Sequence, residues 1–108
     1  MTIKFGTDPV TVELDRVLGI LQAGTWSAGD ESALVDLKEE AGRRDHRGTL
    51  LPARPESDVA AEQVAEESAC MSNTPGGGAL VLGVADDGTL IGTSLGVDWL
   101  RHRVYEIT

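Results

Sequence analysis

Residues 69–92, ACMSNTPGGGALVLGVADDGTLIG, decide how this chain folds. They run from the end of a polar helix through a glycine turn into an unbroken apolar segment, residues 79–84, and then through an acidic turn into a second β-prone run. Gly78 before that segment, and Asp86, Asp87 and Gly88 after it, give it the length and punctuation of a buried strand rather than a helix. We expect it to be the core strand. Asp-Gly between two β-prone runs signals a hairpin, because both central positions of a type I′ turn need φ > 0. Residues 81–91 are therefore expected to form a hairpin, with Asp86 and Asp87 at a tip where a strand end meets solvent.

Working back from the strand, NTPGGG at residues 73–78 has three consecutive glycines but neither the G-x-G-x-x-G order nor a G-K-[ST] ending. It leads into a strand, whereas phosphate loops lead out of a strand into a helix. A tight helix-to-strand turn is the expected structure. The preceding helix is expected over residues 57–71, capped by Ser57 or Asp58, with a narrow stripe of Ala61, Val64, Ala65 and Ala69 facing a sheet. Glu62, Glu66 and Glu67 are expected to face water, and Cys70 to be a small buried residue at the helix end.

Further from that stretch, residues 8–24 read as a helix. Asp8 is placed to cap it, Pro9 suits the first turn, Val10, Leu14, Val17, Leu18 and Leu21 recur at helical spacing, and Gly24 suits the C′ position. Residues 25–32 are turn-like, with Trp26 expected to anchor them to the core. In residues 34–40 the alternation predicts a strand, with Val35 and Leu37 on one face and Asp36 and Lys38 on the other. Glu31 lies five positions before Asp36, near enough to fold toward the same face. Residues 42–57 hold prolines, glycines and Arg43, Arg44, Arg47 and Arg54 without periodicity, which predicts a mobile loop, either a plain connection or a basic flap over a phosphate-bearing ligand. At the far end, Val97, Leu100, Val104 and Ile107 make a helical stripe, with Arg101 and Arg103 between them. Together with residues 2–5 as a third candidate strand, these elements predict an α+β fold: a small mixed or antiparallel sheet with a central hairpin and helices packed mainly on one face.

At 108 residues the chain suits one small domain. We expect residues 1–29 to be a helical extension and residues 30–108 the core, the whole being a fragment of a longer protein. Nine Lys and Arg against 18 Asp and Glu, for a formal charge of −9, exclude nucleic-acid binding by bulk charge and require a local basic patch. A single cysteine excludes an internal disulfide and fits a reducing cytoplasm, and no apolar run approaches the roughly 20 residues that span a bilayer.

The run E-S-x-x-V-D-L-K at residues 31–38, a helix ending in A-C-M-S-N-T, the glycine turn, A-L-V-L-G-V, the acidic pair and T-L-I-G together resemble the Schlafen-type AlbA-like domain. The resemblance spans residues 30–107. Bacterial members of that family commonly form the N-terminal part of proteins described as putative transcriptional regulators or ATP-binding proteins. Related eukaryotic domains that cleave transfer RNA gather three carboxylates with a lysine. The resemblance carries those roles to Glu31, Asp36 and Asp86, with Lys38 as the lysine. It implies Mg²⁺ or Mn²⁺ on the three carboxylates, hard ions that take oxygen ligands and generate an attacking hydroxide. Lys38 would stabilise the developing charge. Asp36 stands where the family usually has glutamate, Leu37 where it has phenylalanine, and the turn before Gly83 is one residue longer.

Three functions follow from these residues. The first is a nucleic-acid-binding domain of a bacterial regulatory protein, contacting RNA or DNA phosphates through Arg43, Arg44, Arg47, Arg54, Arg101 and Arg103. The second is a divalent-metal-dependent endoribonuclease acting on RNA such as transfer RNA. The third is a non-catalytic oligomerisation or interaction module serving a C-terminal domain of the same protein or forming a homo-oligomer. An ATP-linked role has no Walker signature in this stretch to carry it. A cytoplasmic location, away from membranes, is expected for all three.

Overall fold

The computed structural model describes residues 1–107. The order is β1 (Thr2–Gly6), α1 (Asp8–Ala23), a short 3₁₀ turn (Ala28–Asp30), β2 (Val35–Lys38), α2 (Asp58–Ser72), β3 (Gly77–Leu82) and α3 (Val97–Ile107). The strands form a mixed sheet in the order β1-β3-β2, with β1 antiparallel and β2 parallel to β3. The α+β class and the third strand are as the alternation predicts. Strand β3 is central, and its residues are buried on both faces, which is why it reads as an unbroken apolar run.

The alternation along β3 divides the core. Ala79 and Val81 join Val35 of β2 and the α1 stripe of Val10, Leu14, Val17 and Leu21. Leu82 joins Ala60, Ala61 and Val64 of α2, with Leu95 and Leu100, on the other side. Helices α2 and α3 thus share one face and α1 covers the opposite one. Residues 1–29 are built into this core rather than appended to it, since β1 pairs with β3 and α1 packs on the sheet. Each fully buried Leu or Val contributes about 1.5–3 kcal/mol, and Leu80, Leu82, Val10, Val17 and Val84 are all in that state.

Some local details match what the residues predicted and others differ. The N-cap of α1 is Thr7, with Asp8 and Pro9 opening the helix, while Gly24 closes it in the left-handed conformation, φ 73°. Ser57 caps α2 by accepting a hydrogen bond from the Ala60 amide at 3.2 Å. Cys70 is exposed rather than buried. Met71, seven residues after Val64, continues the packed stripe in its place.

The hairpin after β3 is also different. Its return arm is one bridge, Val84 to Leu90, and the turn is not type I′, because Gly88 (φ 87°) is its only left-handed residue. The Gly88 amide donates to Ala85 O at 2.9 Å and the Ala85 amide to Thr89 O at 2.9 Å. This is a type I turn over Asp86 and Asp87 followed by a left-handed glycine, the three-residue hairpin solution. The glycine is obligatory at that place, since a Cβ on Gly88 would run into the Trp26 side chain. The NTPGGG turn behaves as expected, delivering β3 with Gly76 and Gly77 both left-handed (φ 83° and 82°).

Candidate nucleic-acid interface

Strand β2 sets out the acidic side chains. Val35 points into the core, Asp36 and Lys38 are exposed, and Leu37 is half-buried against the α1 side, as a two-residue period requires. Asp86, at the turn after β3, and Glu31, after the 3₁₀ turn, complete the set: Glu31, Asp36 and Asp86 line one depression of about 240 Å³ with Trp26, Ser32 and Ala85. The three sequence-predicted carboxylates do share a site. They do not form a metal cradle, since among the described residues no three His, Cys, Asp or Glu side chains are grouped to hold an ion.

Lys38 faces a residue that the sequence pattern had assigned to water. Its Nζ lies 3.0 Å from Glu67 Oε1, and the Glu67 side chain is 19% exposed. Partial burial, and then the negative charge of Glu67, push the Asp36 carboxyl upward. The hydrogen bond and charge of Glu67 hold the Lys38 ammonium above its usual value. Lys38 is therefore paired with α2 while its side chain remains 43% exposed. A signal for Glu67 exists in the sequence: Ala60, Val64, Glu67 and Met71 are spaced four, three and four apart, so Glu67 stands in the packed stripe.

The arginines separate into two groups. Arg43 is buried at 9% exposure, where its Nε donates to Leu51 O at 3.0 Å and its Nη1 to Gly92 O at 3.5 Å. Arg44 makes a bidentate pair with Glu39 (Nη2 to Oε1 at 2.7 Å, Nε to Oε2 at 3.1 Å) and donates to Gly48 O at 2.8 Å. Arg103 is paired with Asp58 at 2.9 Å and Glu106 at 3.2 Å. These three serve the fold: the loop after β2 turns back on itself through an Arg44–Leu50 bridge, which carries Arg43 inward. Arg47, Arg54 and Arg101 are exposed and make no ion pair among the described residues.

The same loop holds a buried carboxylate that the strand pattern did not single out. Gln63 of α2 brackets it, donating to Glu39 O and accepting from the Ala41 amide, both at 2.9 Å. Glu40 between them is 5% exposed, and burial pushes its carboxyl up while Arg43 pulls the other way. Among the described residues its Oε1 accepts no hydrogen bond.

A mixed sheet with a βαβ unit, an acidic depression at one strand end and a folded arginine loop make up a small α+β domain. The chain belongs to the Schlafen, AlbA_2 family, whose model matches residues 31–106. A solved structure with the same fold is that of the DIP2311 protein from Corynebacterium diphtheriae, which is 38% identical with a TM-score of 0.66. The similarity covers 88% of this chain and 21% of that one, so the chain spans about a fifth of that protein's length. No curated protein matches the chain. Among the described residues no helix is long and apolar enough to cross a membrane.

Proposed function

We propose that this chain is a nucleic-acid-binding domain of a bacterial regulatory protein, working in the cytoplasm as one module of a longer polypeptide. The observation that carries the proposal is membership of the Schlafen, AlbA_2 family over most of the chain. The distribution of guanidinium groups supports it. With a formal charge of −9 the surface repels a polyanion except where cations are unneutralised, and Arg47 and Arg54 on the loop, with Arg101 on α3, are such places. Binding of that kind reads phosphates and is salt-sensitive. The endoribonuclease alternative has less support, because among the described residues the carboxylates of Glu31, Asp36 and Asp86 are not grouped so as to hold an ion, and Lys38 is paired with Glu67.

Fluorescence anisotropy with short single-stranded and duplex RNA and DNA tests the proposal. Binding is expected to weaken steeply with salt, and the double variant Arg47→Ala/Arg54→Ala to reduce the magnitude of the log K against log salt slope by about 2. Absence of binding to every nucleic acid at low salt, or a slope unchanged by the double variant, overturns it.

A further inference from the structure

The cavity nearest the arginine loop is not the one the carboxylate pattern pointed to. It has a volume of about 410 Å³ and lies between the loop and the start of α2, lined by Glu40, Arg43, Leu51, Pro52, Arg54 and Ser57, with Gly42, Glu56 and Asp58 completing the wall. That volume is within the range of small-molecule sites. Its innermost charged group is Glu40, whose side chain is 3% exposed and whose Oε1 accepts no hydrogen bond among the described residues. Arg43 Nη1 is 3.9 Å from that oxygen, too far for a hydrogen bond, and the guanidinium is committed to the carbonyls of Leu51 and Gly92. Arg43 therefore neutralises Glu40 in part without supplying it with a donor. Among the described residues this buried acceptor has no donor, and the Gln63 bracket on either side of residue 40 holds it in place.

We propose that this cavity receives the Watson–Crick edge of a guanine base, either unstacked from a nucleic-acid strand or in a free guanine nucleotide. An ionised carboxylate accepts two donors side by side, and guanine presents a ring N–H next to an exocyclic amine, whereas adenine and cytosine each present one amine beside an acceptor. Arg43, already committed to the carbonyls of Leu51 and Gly92, adds positive charge on the O6 side without a new hydrogen bond. Leu51 and Pro52 offer apolar contact to the base face, and exposed Arg54 is at the wall for one phosphate. The lining carries three carboxylates, Glu40, Glu56 and Asp58, against two guanidiniums, Arg43 and Arg54, and Asp58 is already held by Arg103. That balance disfavours a triphosphate and suits a single phosphodiester. In its strand form the proposal rests on the nucleic-acid function above; in its nucleotide form it does not.

The test is anisotropy of the whole chain with a U-rich single-stranded RNA bearing one central G, the same strand with inosine, which lacks the exocyclic amine, and the same strand with A. Free GMP is titrated separately by calorimetry. The inosine and A strands are expected to bind about 10- to 100-fold more weakly than the G strand, the effect of losing a hydrogen bond to a charged group. Glu40→Gln is expected to bring the G-to-inosine ratio close to one, while Arg54→Ala weakens all strands alike and leaves the ratio. GMP binding lost in Glu40→Gln, without strand binding, supports the cavity and overturns the nucleic-acid function. Strands bound equally whatever the central base overturn the cavity proposal and leave that function standing. No binding of GMP or of any strand overturns both, and the inosine comparison decides even if Glu40→Gln does not fold.

Discussion

The two depressions of this domain are built from similar residue types and differ in how they treat a carboxylate. Around Glu31, Asp36 and Asp86 the acids are exposed on a strand edge and two turns, and the Asp36 carboxyl among them is raised by partial burial. In the depression beside the arginine loop, Glu40 is enclosed, and its burial is what shifts its proton affinity. An acid on a rim keeps most of its contact with water, whereas an acid in a wall without a donor must be offset by the rest of the fold. Enclosure, more than the number of carboxylates, marks the second site as the one built around a specific contact.

The glycines beside the two depressions offer the largest way to break that contrast. Gly88 (φ +87°), behind the acidic rim, has no room for a Cβ because Trp26 fills the space, while Gly48 (φ +80°), in the arginine loop, has nothing within 4 Å. Gly88→Ala carries both the left-handed penalty and a clash, and urea unfolding is expected to show a loss of about 2–4 kcal/mol. Gly48→Ala carries the conformational penalty alone, about 1–2 kcal/mol. Equal losses would mean that Trp26 is not fixed against the acidic turn.

Glu40→Gln has a smaller effect and a more diagnostic one. The swap keeps shape, removes a desolvated charge, and leaves Arg43 its two carbonyl acceptors, so stability near pH 7 should change by less than about 1 kcal/mol. The pH dependence should change more clearly. A carboxyl whose folded value lies above its ordinary 4.5 binds protons more tightly in the native state, so its contribution is fully present at low pH and is lost as pH rises through the folded value. The wild-type chain should therefore lose stability across that window, with Arg43 opposing the loss and Arg54, Glu56 and Asp58 also at the wall, and Glu40→Gln should not. Parallel pH profiles of unfolding free energy for the two proteins would show that Glu40 is not desolvated.

Much of this fold is legible from spacing, and the reasons for the exceptions are physical. The run at residues 79–84, the α1 stripe and the alternation in β2 are each one-dimensional records of which face is buried, and all three elements form where those records place them. The depression shared by Glu31, Asp36 and Asp86 was reached through family resemblance, which records tertiary proximity that no local period contains. Arg43 and Arg47 are alike in sequence, yet one is buried and one exposed, because the Arg44–Leu50 bridge turns the loop inward at only one of them. The turn at Asp86 and Asp87 misled for a different reason: Asp-Gly fits more than one hairpin, and a bulge places only the glycine at positive φ. Glu67 was legible as part of the packed stripe, but a glutamate is ordinarily assigned to water, and its partner Lys38 lies on another element.

That last pair gives the smallest effect and sharpens the contrast from the rim side. Lys38 is 43% exposed and Glu67 19%, so solvent screens their 3.0 Å contact, and Glu67→Gln should cost about 0.2–1 kcal/mol, less at high salt. The ammonium is raised above 10.5, so the pair's contribution is present below that value and lost as pH rises through the folded one. Asp36 is the informative neighbour. Its carboxyl is raised first by burial and then by the charge of Glu67, so removing that charge should lower its titration midpoint in an NMR pH series while leaving a residual elevation. A midpoint that does not move would mean that Glu67 is not part of the rim. The acidic depression would then be separate from α2, and Lys38 would be available to whatever enters it.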